Sequence, residues 1–250
     1  MGIEPFQPIS VKPPSANPVS FAIRCGVDLQ LATIAKYLRP AMAELPPGCI
    51  LDIGAGESPW KEWLPPACRY QGLDVENAGE FGMSGNRDIA FYDGKTIPFP
   101  NASFDGGICI EVLEHAEDPD LLVSEIARIF KPGATLLLSV PWSARRHHIP
   151  HDYHRFTRER LEQLFRAHGF EHVSIHERGN DICAIANKLT IVSIRLGRSL
   201  TIGNFIWRLP MTIGFSALSA GMLLLAHLSL AFDRGAKEDP LGYFCKATKG

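Results

Sequence analysis

Hydrophobic positions along the chain follow two spacings that alternate. Short apolar runs bounded by turn residues are typical of strands, whereas longer runs with apolar residues at helical spacing are typical of helices. The predicted strands lie at 49–53, 69–74, 87–91 (the weakest), 106–110, 134–140, 170–176 and in the C-terminal stretch GYFCKAT. The predicted helices lie at 27–45, 120–130 and 157–168, the last with Thr157 as its N-cap. This alternation predicts an α/β fold with a mostly parallel, Rossmann-like sheet that binds ligands at the carboxyl ends of its strands.

Two segments stand outside that alternation. Residues 1–26 hold five prolines in their first 20 positions, which predicts a flexible N-terminal arm. Residues 177–241 are strongly hydrophobic, and Met211–Phe232 contains 22 residues without Asp, Glu, Lys or Arg. The predicted organisation is an arm (1–26), a core (27–176), a hydrophobic helical insertion (177–241) and the last core strand (242–250).

The topology predicts where this insertion emerges. A parallel strand at 170–176 ends at the ligand-binding rim, and the final strand must return antiparallel from the same rim. A helix over Met211–Phe232 would be about 33 Å long, enough to span a bilayer, but a single crossing would separate the last strand from its sheet. We therefore expect a helical hairpin above the site that serves as a membrane dock, with Arg195, Arg198 and Arg208 facing anionic headgroups, as a lid, or as a homodimer contact.

Composition and charge narrow the function. A formal net charge of -2 gives no electrostatic support for binding nucleic acid. The six cysteines form no C-x-x-C pair, which suggests neither a zinc knuckle nor a disulfide framework and favours a reducing compartment. The N-terminus has no apolar core typical of a secretory signal. We expect a cytoplasmic protein, or one peripheral to the inner face of a membrane.

A glycine turn follows the first predicted strand, in the stretch ILDIGAGESPW. Gly54 and Gly56 allow a backbone to approach a ligand closely, and Asp74 ends the next strand, where an acidic side chain commonly accepts hydrogen bonds from a ribose. Both NAD(H) and S-adenosylmethionine carry such a ribose. Pro59 occupies the place of the third glycine of a dinucleotide motif, which disfavours a pyrophosphate and therefore NAD(H).

Further motifs follow in order: the stretch DG…IPFP…SFD from residue 93, EVLEH at 111–115 and FKPGATLLLSVP at 130–141. Together with LDIGAGE they make residues 48 to 176 resemble the class I S-adenosylmethionine-dependent methyltransferases of the type 11 methyltransferase-domain family. The resemblance implies S-adenosylmethionine as the cofactor and methyl transfer to a small-molecule, glycan or lipid-linked acceptor, at a hydroxyl. A nicotinamide-dependent oxidoreductase and a non-catalytic cofactor-binding protein remain the alternatives.

The resemblance also assigns roles to residues. It places the methionine part of the cofactor against Gly54 and Gly56, with Asp52 and Ala55 of the same turn as further cofactor-binding residues. It places the ribose on Asp74, the adenine edge on Asp93 and Gly94, and the sulfonium pocket beside Glu111.

Catalytic candidates lie in the histidine-rich loop PWSARRHHIPHDYHRFT. Histidine is suited to proton transfer near neutral pH, so we predict His151, and after it His148, as a general base at the rim. Glu111, beside the sulfonium pocket, is the third catalytic candidate. In the alternative interpretation, Asp152, Tyr153 and Arg155 only fix this loop. A further alternative is a divalent metal held by two carboxylates and two imidazoles, namely Glu111, Glu114, His115 and His151.

Overall fold

The fold is known from a computed structural model that describes residues 9–76, 89–201, 203 and 205–250. Seven strands form one sheet in the order β3-β2-β1-β4-β5-β7-β6. All neighbouring strands are parallel except β7, which is antiparallel to both β5 and β6. The predicted Rossmann-like sheet with an antiparallel last strand is therefore confirmed. The strands are β1 Gly48–Ile53, β2 Cys68–Val75, β3 Ile89–Tyr92, β4 Phe104–Ile110, β5 Phe130–Pro141, β6 Phe170–Arg178 and β7 Gly242–Lys249.

Helices begin where polar side chains satisfy the first backbone N–H groups. Asp118 accepts from Leu121 N at the start of α3, and Thr157 accepts from Arg160 N at the start of α4, as the sequence predicts. The helices are α1 Pro18–Val27, α2 Leu29–Ala43, α3 Pro119–Ile129, α4 Arg158–Ala167, α5 Asp181–Arg198 and α6 Phe205–Phe232.

The N-terminal segment is more ordered than expected. The prediction of a flexible arm over 1–26 is wrong for residues 18–26, because they form α1 with Asn17 accepting from Ser20 N. The ring of Phe21 packs edge-on against Trp63 at 6.3 Å, which fixes α1 beside the glycine-turn segment. Residues 1–8 of the predicted arm lie outside the described residues.

The glycine turn after β1 does not open an α-helix. Only a short 3-10 helix, Lys61–Trp63, follows it before β2. Pro59, Pro65 and Pro66 leave too few residues with a backbone N–H to build helical turns there. The binding turn therefore relies on individual backbone groups and side chains rather than on a helix dipole.

The insertion is a helical hairpin, as predicted, and α6 begins six residues earlier than Met211. Its 28 residues correspond to a length of about 42 Å. Asp181 N donates to Ala236 O at 3.0 Å, so the chain leaves and rejoins the core at one place. A buried apolar cluster holds the base of the hairpin against α2; it consists of Leu29, Cys183, Ala186, Ala226 and Leu241.

The hairpin buries small side chains between its helices and exposes large apolar ones, which is the reverse of a surface helix in water. The buried residues of α6 are small, namely Ser219, Ala226 and Ser229. Hydroxyls bond across the helix pair, with Thr190 Oγ1 2.9 Å from Ser219 Oγ and Ser193 Oγ donating to Phe215 O at 2.9 Å. Large apolar side chains of α6 are exposed instead: Phe205, Ile206, Trp207, Met211, Ile213, Leu218, Leu224, Leu225, Leu228 and Phe232.

Candidate active site

The glycine turn is fixed to the neighbouring strand by its backbone. The N–H groups of Gly54 and Ala55 both donate to Leu73 O of β2, at 2.8 and 3.0 Å. Gly54 has a φ of 70°, and a Cβ atom there would lie 2.3 Å from Val112 Cγ2. Only glycine fits this position, because the backbone is left-handed and a side chain from the β4 edge fills the space.

Asp74 joins the turn directly, as its position at the end of β2 predicts. Its Oδ2 accepts from Gly56 N at 2.9 Å and its Oδ1 accepts from Val75 N at 2.8 Å. Burial raises the pKa of this carboxyl, while the two backbone N–H groups act in the opposite direction. Each carboxylate oxygen can accept a second hydrogen bond, so the group can still receive hydroxyl donors such as those of a ribose.

Asp52 lies beneath the turn rather than on its open face. Its side chain is buried, and Oδ2 accepts from the Tyr70 hydroxyl at 2.7 Å. The same hydroxyl lies 2.8 Å from Ser58 Oγ. Burial raises the pKa of Asp52 to about 7, with the Tyr70 hydrogen bond lowering it and the charge of Asp74 raising it further. The carboxylate of Asp52 therefore supports the turn from below, and its direct contact with a cofactor stays a prediction.

Asp93 and Gly94 form the next loop of the rim, after β3. The exposed Asp93 accepts at Oδ1 from the N–H groups of Lys95 and Thr96, at 2.8 and 3.0 Å, and these bonds lower its pKa. Gly94 has a φ of 78°, and a Cβ atom there would touch Val75 at the end of β2. The pair thus lies next to the Asp74 loop, where the family resemblance places the adenine.

Glu111 takes part in an ion pair that the sequence does not predict. Its Oε1 accepts from Ser139 Oγ and from an Nη atom of Arg178, both at 2.8 Å. Arg178 is completely buried and also donates to Val140 O. This ion pair ties Glu111 to β5 and β6, so these contacts support neither the predicted catalytic role nor the predicted metal ligand. Arg178 was missed because nothing in the local sequence distinguishes it from a surface arginine at a strand end.

The histidine-rich loop is fixed by an ion pair. Asp152 binds Arg155 through two contacts of 2.6 and 2.8 Å and accepts from His147 N at 3.1 Å. This confirms the loop-fixing interpretation for Asp152 and Arg155. His151 is half-buried in this loop with Nδ1 3.0 Å from the Tyr153 hydroxyl, whereas His148 has a left-handed φ of 50°.

A second group of side chains meets under this loop. Glu114 is completely buried, and neither of its carboxylate oxygens has a hydrogen-bond partner. The Nε2 atoms of His115 and His147 lie 3.6 and 3.9 Å from Glu114 Oε1. Burial raises the pKa of Glu114 well above its usual range and lowers the pKa of His115 to about 4. The predicted metal set brings together only Glu114 and His115; His147 joins them in place of Glu111 and His151.

The comparison with protein families decides the class. A family model described as "Methyltransferase domain" matches residues 28–175. The chain belongs to the methyltransferase-domain family. The predicted class I S-adenosylmethionine-dependent methyltransferase is confirmed, while the narrower type 11 assignment stays a resemblance. The match includes the glycine turn, the Asp74 loop and the histidine-rich loop.

Individual relatives agree with this family. An O-methyltransferase of Aspergillus sclerotiorum is 28% identical over 44% of this chain and 47% of its own length. An O-methyltransferase of Aspergillus nomiae is 36% identical over 36% of this chain and 45% of its own length. The chain thus spans about half the length of these curated relatives. The crystal structure of a "SAM-dependent methyltransferase, possible histamine N-methyltransferase" from Thermotoga maritima has a TM-score of 0.52 at 13% identity, covering 94% of this chain and 96% of its own, which supports the fold alone.

S-adenosylmethionine is the cofactor of this family, and the described residues fit it. Gly54, with its left-handed backbone packed against Val112, gives the turn a path that no residue with a side chain can take. Gly56 and Asp74 place a backbone turn and a carboxylate within one hydrogen bond of each other at the rim. A carboxylate at the end of β2 suits a ribose, and the absence of an α-helix after the turn agrees with a cofactor that has no pyrophosphate.

Proposed function

We propose that this protein transfers the methyl group of S-adenosylmethionine to a hydroxyl of a small-molecule acceptor. The 2.9 Å hydrogen bond that joins Gly56 to Asp74 carries the proposal, because it assembles the nucleoside-binding edge in this chain itself. The curated relatives named O-methyltransferases favour oxygen as the accepting atom. The chain spans about half of the length of these relatives, so their own acceptors are not carried over to it. The residues at the rim of this chain's site are the basis for the proposed base.

S-adenosylmethionine supplies an activated methyl group on a sulfonium sulfur. The chain's main task is therefore to hold the acceptor oxygen in line with that methyl group and to exclude water. As the new O–C bond forms, the C–S bond breaks and its electron pair stays on sulfur. The hydroxyl proton must then pass to a base on the protein.

His151 is the base that the rim supports best. Its imidazole is half-buried in this loop, and Nδ1 is 3.0 Å from the Tyr153 hydroxyl. In the tautomer whose Nδ1–H donates to Tyr153, the Nε2 atom carries the lone pair that accepts a proton. His148, in the same loop, is the second candidate.

Product formation tests the reaction. Purified protein is incubated with S-adenosylmethionine and a panel of hydroxyl acceptors, and S-adenosylhomocysteine is measured. Asp74→Ala is expected to weaken cofactor binding by about 1.5–3 kcal/mol, since it removes a charged hydrogen-bonding group. Wild-type cofactor affinity in that variant contradicts the placement of the ribose. Cofactor binding without turnover on any acceptor class favours the non-catalytic alternative, and binding of NAD(H) instead favours the oxidoreductase.

We also propose that the hairpin α5–α6 contacts a lipid surface, which suits a lipid-linked or otherwise hydrophobic acceptor. A helix pair with small polar residues between its helices and large apolar residues outside is the arrangement of helices packed in lipid. A surface helix in water has the opposite pattern. One helix of the described residues, α6, is long and apolar enough to cross a membrane.

The charge of the hairpin supports anionic lipid as the partner. Residues 182–232 contain no acidic side chain. They carry four exposed basic side chains: Lys188, Arg195, Arg198 and Arg208. Basic residues beside an apolar surface bind anionic headgroups while the apolar side chains enter the acyl region.

Vesicle flotation tests this contact. The protein is expected to float with vesicles that contain anionic lipid and to be released by detergent rather than by high salt. Leu224→Asp with Leu228→Asp on α6 should abolish flotation, whereas Leu121→Asp, an exposed apolar residue of α3, should not. Protein that never floats contradicts the proposal. If the wild type is then a dimer and the α6 variant a monomer, the hairpin is a homodimer contact. If both are monomers and the variant loses only turnover, the hairpin is a lid.

A further inference from the structure

Glu114 has a position that protein interiors rarely tolerate. Its side chain is completely buried, and neither carboxylate oxygen has a hydrogen-bond partner. Leaving a polar group buried and unpaired costs free energy, so such a group needs a physical explanation. A bound ion is one such explanation. Arg155, whose charge acts on Glu114, does not supply a hydrogen bond to it, because its guanidinium is bound to Asp152.

Two imidazoles face this carboxylate in tautomers fixed by their surroundings. His115 Nδ1 lies 2.7 Å from His151 O, and His147 Nδ1 lies 3.1 Å from Arg145 O. A carbonyl oxygen can only accept, so each Nδ1 must carry the proton and each neutral ring has its lone pair on Nε2. Both Nε2 atoms lie on the side of Glu114 Oε1, at 3.6 and 3.9 Å.

This is the arrangement that metal-binding histidines use. The second ring nitrogen of a ligating histidine usually donates to a backbone carbonyl or a carboxylate, which fixes the ring for the ion. One potential ligand atom from each of Glu114, His115 and His147 lies within 4.8 Å of the other two. In a bound site these separations are about 3–3.4 Å, so a contraction of up to about 1.5 Å would complete it.

We propose that Glu114, His115 and His147 form a binding site for a divalent transition-metal ion. Two imidazoles and one carboxylate suit Zn²⁺ and similar ions, whereas Mg²⁺ prefers an all-oxygen set. Three protein ligands leave coordination positions open, as in metal sites that bind a substrate oxygen.

The site lies close to the glycine turn. Val112, whose side chain packs against Gly54, immediately precedes the 3-10 helix Leu113–His115 that carries two of the ligands. An ion there could bind the acceptor hydroxyl and lower its pKa. That role rests on the proposed methyl transfer, whereas the binding of the ion does not.

Metal titration of the full-length protein, after treatment with a chelator and without cofactor or acceptor, tests the site. Calorimetry with Zn²⁺ and the visible absorption of Co²⁺ are expected to give one ion per chain, which excess Mg²⁺ does not displace. Glu114→Gln and His147→Ala should each raise the Kd at least about 100-fold, beyond the loss usual for an outer-sphere partner. His151→Ala is the matched control, because it removes an imidazole from the same loop but keeps the carbonyl that binds His115.

The outcomes separate the site from the reaction. The proposal is overturned if the protein binds no stoichiometric metal ion. It is also overturned if Glu114→Gln and His147→Ala bind the ion as tightly as the wild type does. Loss of binding in His151→Ala but not in His147→Ala overturns this ligand set as well. His147 lies in a loop, so its variant remains informative if Glu114→Gln does not fold. Stoichiometric binding without methyl transfer overturns the proposed reaction and leaves the metal site in place.

Discussion

Asp52 should make this protein less stable as the pH rises through the weakly acidic range. Its carboxyl is buried beneath the glycine turn, and burial raises its pKa from 3.8 to about 7. The folded state therefore holds this proton more tightly than the unfolded state does. Stability contributed by the protonated group is complete below about pH 4 and is lost as the pH rises to about 7.

The magnitude follows from the same values. One pKa unit corresponds to about 1.4 kcal/mol, so the change from 3.8 to about 7 corresponds to at most about 4 kcal/mol. Asp52→Asn cannot ionise but keeps an oxygen that can accept from the Tyr70 hydroxyl. The stability of the wild type minus that of the variant should therefore fall by up to about 4 kcal/mol between pH 4 and pH 7 and stay level above that range.

Urea unfolding at a series of pH values, without cofactor, measures this difference. Asp93→Asn is a control of opposite sign, because backbone N–H groups lower the pKa of Asp93 and its stabilisation is lost as the pH falls. Parallel stability curves for the wild type and Asp52→Asn would refute the reasoning, since they would mean that Asp52 ionises equally in the folded and unfolded states.

Three further predictions concern the site. Gly54→Val should nearly abolish binding of S-adenosylmethionine in calorimetry, because a Cβ atom would lie 2.3 Å from Val112 Cγ2 and the turn would have to move; unchanged affinity would contradict the role of this turn in cofactor binding. Glu111→Gln should lower the free energy of unfolding by about 3–5 kcal/mol in urea, since it leaves the charge of buried Arg178 uncompensated; a neutral effect would show that the ion pair is not structural. His151→Ala should reduce turnover about 100-fold or more with little change in cofactor affinity, and full turnover would remove it as the base.

The parts of this molecule that local patterns encode could be predicted from the sequence. The strands follow from short apolar runs, and Thr157 precedes a helix as a capping residue should. The approach of Asp74 to Gly56 also follows, because both lie at the ends of neighbouring parallel strands. In each case the information lies within one element or between adjacent ones.

The sequence-based predictions were incomplete where residues far apart in the chain come into contact, and where the conformation of a loop decides which side chain faces inward. Glu111 and Arg178 are 67 positions apart and pair only because β4, β5 and β6 end at the same rim. His147 rather than His151 lies beside Glu114, in a loop that has a left-handed backbone at His148, and the spacing of the histidines in the sequence does not reveal which of them turns inward. The absence of an α-helix between β1 and β2 agrees with the sequence, since Pro59, Pro65 and Pro66 lie in that segment.

The position of β7 has a consequence for how the chain folds during synthesis. Strand β7, Gly242–Lys249, fills the gap between β5 and β6, so these two strands have no partner on their facing edges until residues 242–249 leave the ribosome. The hydrophobic hairpin is made before that strand, and its pairing is local, whereas β5 must wait for a partner about 100 residues later. The hairpin can therefore form and contact a lipid surface before β7 completes the sheet. Ribosome-bound chains that end before residue 242 should consequently be protease-sensitive at β6 although α5 and α6 are already paired.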